Sequence, residues 1–271
     1  MSDDIDAKIQ RAATAAARQA GRLKLTAEQE RVARQFRGAL PIVASSLGRT
    51  LGVRVAIGGE QAFAVPGHVQ IPVLPLGWNR AQTYVRLYLD HEAGGHLRHT
   101  DYRQWVQRQC APILNDLNGI LEDVRVEQAV GRELPGCSLN LRKGIAAMVE
   151  DREIGQVDVS TNPDPYHWFF VWLLAHTRNT YLGQAALGPS EDLAARLLRP
   201  LVGALLDVVV KACRRIPDLK TTQDALDLAS ELFEILKAHK PKKTPKPVRT
   251  SRANGRKKAT QELSTGNDTD D

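Results

Sequence analysis

Three histidines and a glutamate, His91, Glu92, His96 and His99, fall within nine residues of this 271-residue chain, which holds seven histidines in all. Neutral imidazole is a ready ligand for zinc. A hydrolytic zinc site needs three protein ligands and an open position for water, with a carboxylate that takes the water's proton and passes it on. The helical motif H-E-x-x-H supplies two ligands and the base. Here the glutamate is in place but the second histidine comes one residue late, giving H-E-x-x-x-H. On a helix of ~3.6 residues per turn, residues five apart are turned by about 140°. His91 and His96 then face different ways. A π-bulge absorbs one residue and restores the alignment, and Gly94 and Gly95 make that distortion easy. A second arrangement needs no bulge: Glu92 and His96 at i,i+4, and His96 and His99 at i,i+3, share a face. Glu92 is then a ligand and no general base remains. A cluster with no metal at all is the bland alternative, against which the density of ligand types argues.

The third ligand is expected downstream, and the run Leu121 to Glu127 is the best candidate. Glu122 points away from the apolar face of Leu117 and Val124 and shares its own with Asn115, Gly119 and Val126. That face is either solvated or packed on the motif helix, in which case Glu122 reaches the metal. Asp123 or Asp101 is expected to orient a ligand histidine from behind, or, like His99, to serve as an alternative ligand. His167 and His176 lie among Trp168, Phe169, Phe170, Trp172 and Leu173 and read as core or boundary residues.

These residues must be positioned by an α+β chain that is mostly helical. Thr26 to Gln29 looks like a capping box. The helix it opens should kink at Pro41 and end near Gly48 or Gly52. Val53–Ile57 alternates and reads as a strand, Gln61–Val65 as a second and His68–Leu74 as a third, with turns at Gly58-Gly59 and Pro66-Gly67. The expectation is a small antiparallel meander. From Asn79 the period is helical, so the motif helix follows the sheet. Further helices are expected over 112–130, 140–149, 166–182, 191–214 and 222–238, the last opened by a cap at Thr221 to Asp224, with a polar loop over 158–164.

The bulk properties bound the rest. Cys110, Cys137 and Cys213 are far apart and have no C-x-x-C spacing, which argues against a disulfide framework and for a reduced, cytoplasmic protein. The N-terminus lacks signal-peptide features, and the apolar run Trp168–Ala175 is far shorter than the roughly 20 residues of a membrane span. The net charge of +6 is concentrated in the tail: Lys237 to Lys258 carries ten Lys and Arg and no acid. The expected division is a loose or disordered segment over 1–22, a metal-binding domain over 23–238 and a disordered basic tail over 239–271. In that tail Lys240, Lys242, Lys243, Lys246, Arg249, Arg252, Arg256, Lys257 and Lys258 could hold nucleic acid or an acidic partner through charge alone. The absence of aromatics there makes such binding non-specific. A solubilising linker is the alternative.

Tyr88–Tyr102 together with Asn118–Glu127 resembles the CobT-like proteins of phages and mobile elements, which take their name from cobaltochelatase CobT. These couple a zincin-like N-terminal region to a von Willebrand A domain. Their pattern runs HExxH, R-x-T-D, N-x-x-x-E-D-x-R-x-E, then P-G and N-L; Pro135-Gly136 and Asn140-Leu141 match its end. The resemblance covers residues 50–145 and, weakly, the helix from Thr222. It implies a zincin-like fold, one zinc ion held by His91, His96 and Glu122, Glu92 as base, a peptide or protein substrate, and a separately encoded von Willebrand A partner. Asp158, Ser160 and Asn162 match that domain's metal motif too poorly to be read as more than loop, and chelatase activity does not carry over. The expected function is a zinc metallopeptidase; the alternative is a non-catalytic, metal-stabilised binding module acting with a partner or nucleic acid.

Overall fold

The computed structural model describes residues 27–72, 78–108, 111–157 and 164–239. The expectations for 1–22, the Thr26 cap, the loop over 158–163 and the basic residues from Lys240 onward lie outside them. Helix α1 spans Ala27–Leu47 and runs unbroken through Pro41. Strands β1 (Arg54–Ile57), β2 (Phe63–Val65) and β3 (His68–Ile71) follow. Then come α2 (Trp78–Tyr88) and a π-helical segment, Leu89–Leu97, that continues it. The remaining helices are α3 (Tyr102–Gln107), α4 (Pro112–Glu133), α5 (Pro135–Glu150), α6 (Pro165–Leu182), α7 (Gly188–Val202), α8 (Leu205–Cys213) and α9 (Thr222–Ala238). The chain is mostly helical with one small sheet.

The sheet corrects the expected antiparallel meander. Its order is β1-β3-β2, with β3 parallel to β1 and antiparallel to β2. All four β3 residues are buried, including His68 and Gln70, whereas β1 and β2 are partly exposed. The last strand is therefore the centre. The Gln70 side chain donates to the Gly58 carbonyl and pins the β1 end. Two helix boundaries also differ. The expected 191–214 helix is two, because Gly203 takes φ +57 between α7 and α8. Helix α5 starts at Pro135, whose fixed φ suits a first helical position, so Leu134 alone separates it from α4. Thr221 and Asp224 form the expected capping box of α9.

Helix α4 is the axis of the molecule. Leu117, Leu121 and Val124 enter the largest core cluster with Trp172 and Leu173 of α6, Leu198 of α7 and Leu228 and Leu232 of α9. Val126 and Val130 face the π-helical segment so closely that a Cβ added at Gly95 would lie 3.1 Å from Val126 Cγ2, and one at Gly94 3.0 Å from Val130 Cγ2. The two glycines thus permit close approach as well as distortion. On the other side α1 packs equally tightly, Gly48 against Leu97. Among the described residues no helix is long and apolar enough to cross a membrane.

The contact between α5 and α2 has no slack, and one glycine shows it. A Cβ at Gly144 of α5 would sit 2.6 Å from Leu87 Cβ of α2, an atom next to backbone, while Gly119 in mid-α4 has open space. Gly144→Ala is expected to destabilise by about 1–3 kcal/mol through overpacking, outweighing its gain in helix propensity. Gly119→Ala should be neutral or stabilising by up to about 1 kcal/mol. Thermal melts of the two variants check the contrast.

Candidate metal centre

The π-helical segment settles the spacing question. With i→i+5 bonding, His91 and His96 fall on one side, their rings in edge-to-face contact at 4.8 Å between centroids. Asp123 of α4 completes the group. One ligand atom from each of His91, His96 and Asp123 lies within 4.8 Å of the others. His96 Nε2 is 3.1 Å from Asp123 Oδ1, and His91 Nε2 is 3.8 Å from the same oxygen. Ligands placed tetrahedrally at about 2.0–2.1 Å from zinc are about 3.4 Å apart, so these spacings suit a shared cation.

The other ring nitrogens are committed. His91 Nδ1 is 2.9 Å from Glu127 Oε1, a carboxylate that can only accept, so Nδ1 carries the proton. His96 Nδ1 is 3.0 Å from Thr100 Oγ1, and that hydroxyl donates in turn to Glu122 Oε1 at 2.8 Å. With the hydroxyl proton spent on Glu122, Thr100 accepts from His96 Nδ1–H. The Nε2 of each ring therefore faces Asp123 Oδ1, either as the N–H of an imidazolium or, with that proton gone, as a lone pair open to a shared cation. Nδ1–H groups held by outer acceptors are the arrangement found on metal-ligating histidines.

Glu122, expected as the third ligand, does not join this group. It is fully buried, and its carboxylate is spent: Oε1 accepts from Arg125 Nη2 (2.7 Å), Thr100 (2.8 Å) and Thr222 Oγ1 (3.0 Å), and Oε2 from Arg125 Nε (2.7 Å). Asp123, expected to stand behind a ligand or to serve as an alternative one, stands in the group where Glu122 was expected. Its Oδ2 accepts from Arg178 Nη2 at 3.1 Å, leaving Oδ1 for the imidazoles. Asp101 does not orient a histidine. Its carboxylate caps α3 by accepting from the Arg103 and Gln104 amides. His99 turns away, with Nε2 3.9 Å from Glu133, so the bulge-free set of Glu92, His96 and His99 is not the one brought together. His176 pairs with Glu191 at 2.8 Å and stacks on Trp172, in keeping with a boundary role.

Sequence reasoning missed Glu127, Arg178, Thr100 and Gln184. Arg178 Nη1 donates to Glu127 Oε1 at 2.7 Å, and Gln184 Nε2 donates to Oε2 at 2.7 Å. The available signal was Arg178 itself, an arginine in a strongly apolar helix, which can be buried only against carboxylate.

Electrostatics reinforce the geometry. Burial pulls the His91 imidazolium down, but Asp123, Glu127 and Glu92 outweigh it and push its pKa up to about 9. Burial also works against the Asp123 carboxylate, yet His91, His96 and Arg178 hold it well below the usual range. Glu127 is likewise lowered against its burial, chiefly by Arg178 and His91. Without the His91 proton, Asp123 and Glu127 share Arg178 as their cationic partner among the described residues, and a divalent cation would offset the remaining negative charge. Glu92 differs from the other acids. Burial raises its pKa despite both histidines, and its carboxylate has no hydrogen-bond partner among the described residues. The Tyr102 hydroxyl is also buried without a partner among them, and burial followed by the charges of Glu92 and Glu122 raises its pKa. The Asp123 side chain is 29% exposed and each histidine side chain 16%, so the group is not sealed from solvent.

Comparison with protein families, with curated proteins and with solved structures finds no match.

The outer hydrogen bonds give a direct test. Thr100→Val, which keeps the shape but removes the acceptor for His96 Nδ1, and Glu127→Gln should each weaken metal binding about 10- to 100-fold. His99→Ala should change it little. Competition with a chromophoric chelator measures all three.

Proposed function

We propose that this protein is a zinc-dependent metallopeptidase of zincin-like architecture. The observation that carries the reading is the convergence of His91 Nε2, His96 Nε2 and Asp123 Oδ1 beside a buried Glu92 with no hydrogen-bond partner among the described residues. Two imidazoles and a carboxylate suit zinc, and also non-haem iron. The carboxylate of Glu92, next in sequence to His91, favours hydrolysis. The order of small sheet, motif helix and Glu-Asp helix is the further support, and it agrees with the CobT-like resemblance. On that kinship the protein acts in the cytoplasm of a phage or mobile-element host on peptide or protein substrate, with a separately encoded von Willebrand A partner.

A zinc ion in this site would supply Lewis acidity, polarising a carbonyl and lowering the pKa of water. His91, His96 and Asp123 would hold it, and Glu127 and the Thr100–Glu122 pair would keep both imidazoles in the ligating tautomer. Glu92 takes the proton from the attacking water and returns it to the departing amide nitrogen. Its raised pKa brings it nearer neutrality, where one carboxyl group can both accept and donate.

Purified protein should contain about one zinc per chain by elemental analysis, the count that one tetrahedral site implies. Glu92→Gln should keep the metal and lose about 10²- to 10⁴-fold in turnover of casein or a peptide library, the usual contribution of a general acid–base. Metal-free protein, or equal turnover by both forms, would sink the reading. Bound metal without turnover in either form would leave the non-catalytic binding module in its place.

A further inference from the structure

A cavity of about 400 Å³ opens beside Glu127, between the C-terminal half of α4, the start of α5 and the end of α6. Its size falls within the roughly 300–1,000 Å³ of small-ligand sites. Arg132 and Arg142 stand in its lining, both exposed. Each has one hydrogen bond, to a neutral acceptor: Arg132 Nη2 to the Pro217 carbonyl at 2.9 Å, Arg142 Nη1 to Ser138 Oγ at 3.0 Å. Neither is paired with a carboxylate among the described residues. Each guanidinium offers five N–H donors in a planar fork, so two forks remain open to a planar anion. Tyr181 and Leu182 add apolar wall.

We infer that this cavity binds the C-terminal end of a peptide chain. A terminal residue presents a carboxylate for Arg132 and Arg142 and a side chain for Tyr181 and Leu182. Inorganic phosphate satisfies the arginines but offers no apolar group. Glu127 belongs to both places: it lines the cavity and accepts from His91 Nδ1. The inference stands without the peptidase reading, since none of the ligand atoms of the metal centre takes part.

Calorimetric titration with N-acetyl-Gly-Leu, with its C-terminal amide and with phosphate tests it, using the full chain after metal removal by chelator and dialysis. The acid should bind, and the amide about tenfold more weakly or worse, the loss of a charge-assisted hydrogen bond. The double variant Arg132→Ala/Arg142→Ala, at two exposed positions, should lose the preference for the acid. Equal affinity for acid and amide, unchanged preference in the double variant, phosphate binding as tightly as the acid, or binding of the acid only when metal is present would each overturn the assignment.

Discussion

The register of backbone hydrogen bonds over Leu89–Leu97 is the constraint on which this structure turns. A shift from i→i+4 to i→i+5 bonding costs helix geometry, and it survives where surrounding packing overdetermines it. Here the packing does so from two sides. Val126 and Val130 press on Gly95 and Gly94, and Leu97 fits against Gly48. A side chain at either motif glycine would need Val126 or Val130 to give way by a few tenths of an ångström. The distortion and the tight seat are thus one feature, and together they carry His96 round to the side of His91.

Helix α4 supplies everything the segment meets. Three acids on it, Glu122, Asp123 and Glu127, are neutralised separately, the first by Arg125 within the helix and the other two by Arg178 across the core. Burying such charges is expensive unless each is paired and hydrogen-bonded, and removing one partner strands the other. Asp123 is the exception by half: one oxygen is committed to Arg178 and the other is left to the imidazoles. An arginine placed to take both would have closed the centre. The chemistry of the site rests on that incomplete neutralisation.

Much of this was legible in the chain. The motif residues, the need for a distortion at Gly94-Gly95, and the acidic stretch opposite all follow from residue types and helical spacing. The exchange between Glu122 and Asp123 did not. A wheel separates faces by solvent and core, but α4 is buried on nearly every side, Asn118, Glu122, Arg125 and Glu127 included. Polarity then says nothing about which neighbour an acid meets. The choice is made by Arg125, one turn on, and by Thr222, a hundred residues away. The sheet shows the same limit. Alternation identified three strands, while their order was decided by which strand both neighbours could cover, and only the continuous burial of β3 reveals it.

Thr222 has a consequence for how the chain can be divided. Its hydroxyl donates to Glu122, and it accepts from the Asp101 amide at the point where the motif segment hands over to α3. The first residue of the last helix is therefore a keystone for the first third of the molecule. A fragment ending at α5 would contain the histidines, Glu92 and Asp123 and yet leave Glu122 short of a donor and the turn after His99 untied. The smallest heritable unit of this site is nearly the whole helical body, so recombination that shuffles its C-terminal helices would change the centre without touching His91, His96 or Asp123.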